Sequence, residues 1–415
     1  MKQLEKYTFG MGDRFTRQGK AQLAAIIQAK KLGADITPVW NKSNREHVII
    51  HTHPDSQRAE ADAAVKALGW TGAYYVDADH IGLKTVDNFI AGSDFYTLDV
   101  ADFSGKPADE KSVKAFVDAN RKFLGKLAIP GIEKPLEITE QVIKGAAAKY
   151  LLAVQEAGKI YRHVEEKKGK GNFITEVSID ETDAPQTPVE LLFILSAIAK
   201  EGIPAQTIAP KFTGRFNKGV DYVGDLAQFE KEFNEDLCIV AFAVKEFGLP
   251  ANLKMSVHSG SDKFSIYGPI QKAIRKHGAG LHLKTAGTTW LEEIIGLACA
   301  GGEGLKIAKD VYRAAFGRYD ELCAPYSAVI DIKKDKLPSP DEVDKWDEKR
   351  YAETLRHVQS NPAYNMNFRQ LLHVGYKVAA EMGDRYYKAL DNNEKVVAQN
   401  VTENLLERHI KSLFL

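Results

Sequence analysis

The stretch LKMSVHSGSDKFSIYGPIQKAIRKHGAGLHLKTAG, residues 253–287, contains the pattern from which the fold can be predicted. A run of strand-forming residues, LKMSVHS (253–259), precedes the amphipathic helical segment YGPIQKAIRKHG (267–278), and a second strand-like run, GLHLKTAG (280–287), follows it. Two strands joined by a helix lie parallel in one sheet, with a right-handed connection. The stretch therefore predicts one unit of a parallel α/β fold.

The same alternation of strand and helix extends over residues 7–287. The strand candidates are YTFGMGDRF (7–15), DITPVWNKS (35–43), GAYYVDADH (72–80), DFYTLDVADF (94–103), NFITEVSID (172–180), AQTIAPKFT (205–213), LKMSVHS (253–259) and GLHLKTAG (280–287). Eight such units is the number at which a parallel sheet closes into a (β/α)8 TIM barrel. An open, doubly wound sheet is the alternative, but no strand candidate is followed by the G-x-G-x-x-G turn of a dinucleotide site. We therefore predict an α/β protein built on a TIM barrel.

Two segments exceed a minimal barrel. Residues 126–170 have a helical pattern that runs into the lysine- and glycine-rich KKGKGN, which predicts a helical insertion before the fifth strand. Beyond residue 303 the sequence is helical and charged, and a long helical stretch over 367–390 precedes the terminal IKSLFL. We predict a barrel domain over residues 1–303 and a helical C-terminal extension over residues 304–415 that packs on the barrel.

The composition argues against several classes of protein. The chain has 415 residues, is 44% hydrophobic, and carries 56 basic and 56 acidic side chains, with an isoelectric point near 7.2. A neutral chain argues against nucleic acid or an anionic membrane as the main partner. The N-terminus lacks the apolar core of a signal peptide, and no stretch is long enough for a membrane span. Because the three scattered cysteines are interpreted as buried free thiols, we expect a cytoplasmic protein.

Ionisable residues are concentrated at the carboxyl ends of the strand candidates. In a barrel these ends share one mouth with the loops that follow them, and ionisable groups are costly to bury unless they are paired or liganded. The residues at these positions are Asp13, Arg14, Asp77, Asp79, His80, Asp99, Asp102, Glu176, Asp180, Glu181, Lys211, His258, Asp262, Lys263, His282 and Lys284. The pattern predicts an enzyme active site rather than a binding scaffold.

Three histidines of that set, His80, His258 and His282, predict a metal site. His258 and His282 lie on strands seven and eight, which are neighbours in a barrel, and His80 would reach in from the far side. Neutral imidazole is a common ligand of transition metals, and three protein ligands with an open position suit a catalytic Lewis acid. Taken singly, each histidine fits a structural role better. As a trio they predict a divalent cation such as Zn, Mn or Ni.

Asp79 and Glu176 are the candidates for a pair of opposed acid and base groups. Asp79 is adjacent to His80 and can point toward the mouth if the strand bends at its end, and Glu176 interrupts FITEVSID where an apolar residue is expected. Burial raises the pKa of a carboxyl group, which then works as a proton donor near neutrality. The alternative is that these carboxylates only pair with basic residues of the mouth or support metal-bound histidines.

The loops HSGSDK (258–263) and KTAGTT (284–289) follow strands seven and eight. In TIM barrels this pair of loops commonly binds an anion through backbone N–H groups and the start of the next helix, so the loops predict a substrate with a phosphate or a carboxylate. Glycine and threonine can equally just shape the turns. The candidates for substrate binding are Arg14, Asp180, Lys211, Asp262, Lys263 and Lys284. At least one of Asp180, Glu181 and Asp183 is predicted to be a helix N-cap, because proline and an apolar helix follow.

The C-terminal stretch NPAYNMNFRQLLH (361–373) carries Tyr364, Asn365, Arg369 and His373. Two positions are open for it. It can fold over the barrel mouth and contribute to the substrate site, or it can form an outer helix that stabilises the barrel.

Four longer motifs carry a resemblance to a known family. They are YYVDADHIGLKTVDNF (74–89), SVHSGSDKFSIYGPI (256–270), GLHLKTAGTTWLEE (280–293) and NPAYNMNFRQLLHVGYKVA (361–379). With these motifs the chain resembles the tagaturonate epimerase family, the hexuronate C4-epimerases related to the ketose 4-epimerases. The resemblance extends over most of the chain, and the motifs are far more specific than an isolated histidine or aspartate.

The resemblance implies a divalent-metal-dependent interconversion of D-tagaturonate and D-fructuronate at C4 in sugar-acid catabolism, with weak action of some relatives on the neutral ketoses fructose and tagatose. It implies His80, His258 and His282 as metal ligands, Asp79 as proton acceptor and Glu176 as proton donor. These are the residues that the strand-end pattern also selects. The expected partner is therefore a small sugar acid.

The chemistry at C4 leaves two routes open. C4 of a 2-ketose is not α to the carbonyl group, so enolisation does not loosen its hydrogen. In one route opposed groups remove and return a proton on opposite faces, and in the other the C3–C4 bond breaks in a retro-aldol step and forms again after rotation of the aldehyde. A class II aldolase or a sugar isomerase is the alternative enzyme, and a non-catalytic sugar-acid sensor is the alternative binding protein.

Overall fold

The computed structural model describes residues 2–285 and 287–415, and its centre is a closed barrel of eight parallel strands. The strands are β1 (Tyr7–Gly12), β2 (Thr37–Ser43), β3 (Tyr75–Ile81), β4 (Phe95–Asp99), β5 (Gly125–Leu127), β6 (Leu136–Ile138), β7 (Ile174–Ser178), β8 (Thr207–Ala209), β9 (Lys254–His258) and β10 (Leu281–Lys284). The barrel order is β1, β2, β3, β4, β7, β8, β9 and β10, and β10 pairs with β1. This closure confirms the predicted TIM barrel and excludes the open sheet.

Helices cover the barrel and build the C-terminal part of the chain. The α-helices are α1 (Gly19–Lys31), α2 (Asn44–Ile49), α3 (Asp55–Leu68), α4 (Glu110–Asn120), α5 (Glu140–Ala146), α6 (Leu152–Lys168), α7 (Pro188–Lys200), α8 (Leu226–Phe247), α9 (Phe264–His277), α10 (Thr288–Ala300), α11 (Gly302–Gly317), α12 (Tyr319–Cys323), α13 (Pro340–Val343), α14 (Glu348–Leu355), α15 (Met366–Val374), α16 (Tyr376–Glu381), α17 (Asp384–Asn392), α18 (Glu394–Glu403) and α19 (Lys411–Phe414). None of the helices in the described ranges combines the length and the apolar character needed to cross a membrane.

Residue alternation explains how the barrel strands face. In β9, Met255 and Val257 are fully buried in the apolar layer beneath the helices. The alternating residues Ser256 and His258 therefore point to the other side, into the barrel. β10 repeats the pattern, with outward leucines and inward polar residues. The period of two in the sequence thus delivers polar side chains to the barrel interior.

The barrel interior is apolar at the bottom and polar toward the top. A separate apolar cluster of Leu4, Val39, Tyr75, Phe95 and Ile174 lies at the amino-terminal ends of the strands. The inward-facing residues beyond this floor are largely polar. Most ionisable groups of the interior therefore lie toward the carboxyl ends of the strands, where a TIM barrel carries its functional groups, and Lys254 at the start of β9 is a buried exception.

The insertion before the fifth barrel strand differs in part from the prediction. The helical pattern over residues 126–170 is wrong for its first part, where β5 and β6 form an antiparallel hairpin. Pro130 and Pro135 explain the difference, because proline removes a backbone donor and clashes with the preceding turn inside a helix. The helices α5 and α6, joined by a π-helical turn at Ala147–Leu151, form the remainder.

The C-terminal helices pack on three of the helices that surround the barrel. α18 packs along α10 and contacts α1, α11 and α14 also pack on α10, and α19 contacts α9. These are the helices that follow β1, β9 and β10. The C-terminal part of the chain therefore lies on the side of the barrel that carries the last two strand-end loops.

Candidate active site

The carboxyl end of β3 is bent so that two consecutive side chains face the mouth. The register between β3 and β4 shifts between Ala78 and Ile81, which is a β-bulge, and His80 has a left-handed backbone with a φ of 50°. Bulges re-aim side chains, and a left-handed histidine persists only where its surroundings hold it. Asp79 and His80 thus both point into the cluster described next, which is the bend that the sequence interpretation required.

Lys284 is the centre of a buried group of charges. Its Nζ lies 2.7 Å from Asp77 Oδ2, 2.8 Å from Asp79 Oδ1 and 3.0 Å from Glu176 Oε1. Gly10 lies beside Lys284 in the sheet register, and a Cβ atom there would come 2.9 Å from Lys284 Cγ. The glycine leaves the room in which the lysine side chain crosses the barrel. One cation faces three carboxylates, so the centre has an excess of negative charge.

Two histidines lie beside this group. His258 Nε2 lies 2.8 Å from Glu176 Oε1, and His258 Nδ1 lies 3.1 Å from Asp180 Oδ2. The rings of His80 and His258 are 5.1 Å apart between centroids, and His80 Nδ1 lies 3.1 Å from Asp99 Oδ2. The side chains of His80 and Asp180 are 20% and 19% exposed, so this edge of the group is open to solvent. We use the name strand-end cluster for Asp77, Asp79, His80, Glu176, Asp180, His258 and Lys284.

One part of the strand-end cluster has the spacing of a metal site. Ligand atoms of His80, Asp180 and His258 all lie within 4.8 Å of one another, and those of His80, Asp99 and Glu181 do so as well. His258 Nδ1 is buried and makes no well-directed hydrogen bond, although a carboxylate oxygen is close to it. An imidazole nitrogen left over beside a carboxylate is the arrangement that a shared cation would satisfy.

His282 is absent from both of these groups. It lies on β10 two residues before Lys284 and is fully buried, with Nδ1 2.7 Å from Thr8 Oγ1 and its ring centroid 5.3 Å from that of Phe95 in the apolar floor. Burial lowers the pKa of His282 to about 3, so the ring is neutral, and its Nε2 has no hydrogen-bond partner in the part of the chain that the structure describes. The structure thus places Asp180, rather than His282, next to His80 and His258.

The carboxyl groups around Lys284 differ in pKa. Burial would raise the pKa of Asp79, but Lys284 and the two nearby histidines outweigh burial and lower it to about 2. In the same way, burial is outweighed at Glu176, whose pKa falls well below its ordinary value. Burial dominates at Asp77 and raises its pKa to about 6, with Lys284 opposing it. The raised pKa that the sequence interpretation expected of a proton donor therefore belongs to Asp77 and not to Asp79 or Glu176.

The two histidines of the cluster are held in their charged form. Burial would lower the pKa of His258, but Asp180 and then Glu176 raise it to about 9. For His80, burial is outweighed by Asp79 and Asp99, and its pKa lies well above the ordinary value. Two adjacent rings that both retain a proton indicate concentrated negative potential. A divalent cation could take the place of these protons.

Asp262 lies in a different polar network from the one that the sequence predicts. Its Oδ2 accepts hydrogen bonds from Arg369 Nη2 at 2.7 Å and His357 Nδ1 at 3.2 Å, and its Oδ1 accepts from His409 Nε2 at 3.0 Å and Thr288 Oγ1 at 3.1 Å. Thr288 is the first residue of α10. The anion at the start of this helix is therefore the carboxylate of Asp262 itself, rather than a substrate. These five residues are called the Asp262 node below.

Lys263 is also occupied by the protein. It is fully buried, and its Nζ donates to the backbone oxygens of Asn217 at 2.9 Å and Val220 at 2.7 Å. Burial lowers the pKa of Lys263 to about 7. Lys284 is likewise committed to carboxylates, so neither lysine offers a free ammonium group to a substrate anion. The adjoining loop KTAGTT includes Ala286, which lies outside the described residues.

Arg14 and Lys211 lie at strand ends, as predicted, and both have protein partners. Arg14 Nε lies 3.0 Å from Glu46 Oε1, and its guanidinium group lies 4.0 Å from the centroid of the Tyr376 ring. Lys211 Nζ donates to the backbone oxygen of Thr182. Neither side chain belongs to the strand-end cluster, and both remain candidates for substrate binding.

The N-cap of α7 is not one of the predicted acids. The side chain of Thr187 accepts from the backbone N–H of Glu190, and Glu190 bonds back to Thr187 in a capping box. Because α7 begins with a proline, the cap is the residue directly before that proline. The prediction of a cap among Asp180, Glu181 and Asp183 is therefore wrong, and Asp180 faces His258 instead.

The sequence pattern places Asp77 and Asp99 at the strand ends without a role of their own, and it misses Thr97. Asp77 and Asp99 contact Lys284 and His80, and the Thr97 hydroxyl lies 3.0 Å from both carboxylate oxygens of Asp77. Asp77 stands two residues before Asp79, and Thr97 two before Asp99. Residues two apart in a strand point to the same face, so the positions of Asp79 and Asp99 could have predicted that Asp77 and Thr97 also face the barrel interior.

Comparison with known proteins gives a family match over nearly the whole chain. The model of the UxaE family, described as tagaturonate epimerase, matches residues 1–413. The tagaturonate/fructuronate epimerase of Thermotoga maritima is 28% identical over 423 residues, which cover 98% of this chain and 80% of that protein. The match is therefore not confined to the barrel.

Solved structures show the same fold. The native crystal structure of the fructuronate-tagaturonate epimerase UxaE from Cohnella laeviribosi has a TM-score of 0.79 and 24% identity, and the superposition covers 99% of this chain and 82% of that one. A glycerol complex of the same protein has a TM-score of 0.77 and 23% identity, with coverage of 99% and 81%. The barrel and the helices around it are thus shared with these structures.

Proposed function

Because the chain belongs to the tagaturonate epimerase family, we propose that it is an isomerase that interconverts D-tagaturonate and D-fructuronate at C4. The observation that carries the proposal is the strand-end cluster, in which two histidines, a lysine and four carboxylates meet at the mouth of the barrel. Catalytic groups of TIM-barrel enzymes lie at this end. The substrate pair follows from the relatives, whose names give epimerases of these two sugar acids.

The residues of the cluster fit a divalent cation. His80, His258 and Asp180 would hold it, since their ligand atoms lie within 4.8 Å of one another and the buried His258 Nδ1 lacks a well-directed partner. A mixed set of imidazole and carboxylate ligands suits Zn, Mn or Ni. Such a cation supplies Lewis-acid polarisation of substrate oxygens when it is bound. His282, which the family resemblance implies as a ligand, would have to turn its free Nε2 toward this site from one layer deeper.

Asp79 and Glu176 are the proposed proton acceptor and proton donor. Both carboxylates contact Lys284 Nζ, which stabilises their ionised forms and fixes their positions relative to each other. Ionised Asp79 can accept a proton from the substrate. Glu176 has to be protonated before it donates, and its pKa must rise when the substrate displaces its contacts with His258 or Lys284.

Both chemical routes use these residues. In the proton route, one group removes the C4 hydrogen as a proton and another returns a proton to the opposite face. In the cleavage route, a base takes the C4 hydroxyl proton, the C3–C4 electron pair stays on the C3 fragment as an enediolate, and the C4 aldehyde rotates before the bond forms again. Turnover in D2O distinguishes them, because deuterium at C4 of the product supports the proton route and its absence supports cleavage.

The test of the proposal is metal content and turnover of the purified protein. We expect bound divalent metal and conversion of D-fructuronate into D-tagaturonate, with slower conversion of D-fructose into D-tagatose. His258→Ala should lose both metal and at least about a hundredfold in turnover. His163→Ala is the matched control, because that histidine pairs with Asp87 at the surface and should leave both quantities unchanged. Triose products in place of an epimer would contradict the proposal and indicate an aldolase.

His282 separates the two possible ligand sets. His282→Gln should retain the metal if His80, His258 and Asp180 hold it, because the residue lies outside that group. Loss of metal from His282→Gln with the thermal unfolding temperature unchanged would instead assign His282 to the first coordination sphere. Metal analysis of the two variants beside the wild type provides the answer.

A further inference from the structure

Two glycine-containing turns, at Gly219 and Gly287, contact the side chain of His373 at the barrel mouth, and a third turn, at Gly260, lies beside Gly287. Gly219 and Gly260 have left-handed backbones with φ of 77° and 66°, which glycine adopts without strain. A Cβ atom at Gly287 would come 1.9 Å from His373 Nε2, and one at Gly219 would come 3.2 Å from His373 Cβ. The imidazole therefore packs against bare backbone. The turns follow β8, β9 and β10, so the recess belongs to the same end of the barrel as the strand-end cluster.

The His373 ring has an unused polar atom. The residue is 2% exposed, and its Nε2 has no hydrogen-bond partner among the described residues. Burial lowers its pKa well below the ordinary value, and the charges of Arg14 and Lys218 lower it further, so the ring is neutral. A buried polar atom without a partner is costly, and its most frequent explanation is a water or a ligand that completes it.

Lys218 supplies an unpaired cation beside this ring. Its Nζ lies 3.4 Å from the position of a Cβ atom at Gly260, and the side chain is half-buried. Lys218 makes no ion pair within the described ranges, and its backbone is fixed by bonds to Val329 O at 2.8 Å and from Gln370 Nε2 at 3.0 Å. The backbone of Lys218 is thus fixed by the C-terminal part of the chain, while its ammonium group has no anionic partner among the described residues.

Five other cations at this end of the barrel already have partners. Arg14 is paired with Glu46, Lys284 with three carboxylates, and Arg369 with Asp262. Lys263 and Lys211 donate to backbone oxygens. Lys218 contrasts with all of them. Gly260, which it approaches, follows His258 and the end of β9 by two residues, so Lys218 lies at the same end of the barrel as the strand-end cluster.

We propose that Lys218 and His373 form the subsite that binds the carboxylate of the sugar-acid substrate. The inference rests on the proposed function, because it assigns a position to one end of that substrate. The ammonium group supplies the opposite charge, and His373 donates its Nε2–H in the matching tautomer. A neutral ketose has no charge at that end. The subsite therefore selects sugar acids over neutral ketoses, and Lys218 is a specificity residue rather than a catalytic one.

Steady-state kinetics of Lys218→Met with the metal-loaded protein test the proposal. For D-fructuronate we expect KM to rise by roughly tenfold or more, with a smaller change in kcat, because a charge-assisted contact to a non-reacting group is lost. For D-fructose both parameters should stay near the wild-type values. Lys231→Met is the matched control. That lysine is exposed on α8, so its replacement should leave KM and kcat unchanged for both sugars. His373→Gln keeps a hydrogen-bond donor, so it should raise the KM for D-fructuronate less than His373→Leu does.

Equal losses on the acid and the neutral sugar, or no loss on either, would overturn the subsite. If the wild type converts neither sugar, the proposed function fails, and binding still tests the subsite on its own. Calorimetric titration with D-galacturonate should then show a Kd at least roughly tenfold weaker for Lys218→Met than for the wild type. An unchanged Kd would overturn the subsite independently of the reaction.

Discussion

The strand-end cluster and the Asp262 node are built from the same residue types but differ in how completely they are satisfied. Each combines histidines, carboxylate and a cation, and each is buried at the carboxyl end of the barrel. In the node, both oxygens of Asp262 have two partners, and Arg369 donates to Gly219 O and Leu355 O as well as to Asp262. In the cluster, Glu176 Oε2 has no hydrogen-bond partner among the described residues, His258 Nδ1 has only a poorly directed contact with Asp180, and the edge at His80 is open to solvent.

A structural ion network can be distinguished from a functional one by how completely its polar atoms are paired. A network whose every atom is paired stabilises the fold, since removal of one partner leaves a buried charge without compensation. A network with unused atoms and an excess of one charge costs stability and offers binding capacity. The Asp262 node joins the loop after β9 to α10, α15 and the C-terminal π-helix at Asn404–Ile410. The strand-end cluster instead connects the barrel strands β3, β7, β9 and β10 and faces the mouth.

The largest expected effect is on stability, from Asp262→Asn. The substitution leaves the Arg369 guanidinium buried without a negative partner, so we expect a loss of about 3–5 kcal/mol in the free energy of unfolding. Chemical denaturation monitored by circular dichroism measures it. Asp320→Asn is the matched control, because its side chain is 91% exposed and the change should stay within about 0.5 kcal/mol. Equal stability of the two variants would remove the structural interpretation of the node.

Glu176→Gln should have the opposite profile. The amide keeps the shape of the side chain but cannot carry a charge or exchange a proton, so turnover should fall at least about a hundredfold. The thermal unfolding temperature should fall less than in Asp262→Asn, because Asp77 and Asp79 still pair with Lys284 after Glu176 is neutralised. Parallel measurement of turnover and unfolding is required. A variant that is destabilised but fully active would place Glu176 with the structural residues.

Gly10→Ala should have an intermediate effect on both properties. The new methyl group would come 2.9 Å from Lys284 Cγ and 3.1 Å from Leu283 O, so the lysine must shift. We expect a loss of about 1–3 kcal/mol in stability together with reduced turnover. Gly82→Ala serves as the control, since nothing lies within 4 Å of a Cβ atom there. The coupled loss at Gly10 would show that the position of Lys284 matters to the reaction.

The smallest effect is a difference in pH dependence between the two regions. Burial lowers the pKa of His357 and His409 below 6.5. Below pH 6.5 the unfolded chain therefore binds more protons at these two histidines than the folded chain does, and the free energy of unfolding should fall as pH drops. His258, with a pKa of about 9 in the metal-free fold, contributes stability below 6.5 that is lost as pH rises through 9. Unfolding temperatures of chelator-treated protein measure both limbs. His357→Gln should weaken only the fall in unfolding temperature at acid pH, and His258→Gln should weaken only the fall at alkaline pH.

Much of the fold could be predicted because its signals are local. Each of the eight barrel strands contains a short β-rich run followed by a helical or turn segment, and the closure number follows from the count. Asp79, His80, Glu176 and His258 could be placed at one site because strand ends in a TIM barrel face one mouth. The hairpin at Gly125–Ile138 could also have been predicted, since two prolines exclude a continuous helix there.

The remaining features depend on contacts between distant parts of the chain. Asp262 could not be recognised as structural, because its partners His357, Arg369 and His409 are separated from it by about a hundred residues or more. The alternation of residues along a strand predicts that His282 faces the barrel interior. It does not predict how deep His282 lies, because that depends on the stagger between neighbouring strands. Asp180 lies beyond its strand, and only the closed barrel brings it to His258.

Asp180→Asn tests most directly whether the strand-end cluster is the catalytic site. Its turnover of D-fructuronate and its unfolding temperature are measured under the same metal-loaded conditions as those of the wild type. Asp180 contacts His258 at the open edge of the strand-end cluster and also accepts a hydrogen bond from Ser178 Oγ. We expect at least about a hundredfold lower turnover, with a fall in unfolding temperature smaller than that of Asp262→Asn, because Asp180 is partly exposed at the edge of the cluster. Turnover at the wild-type rate would contradict it.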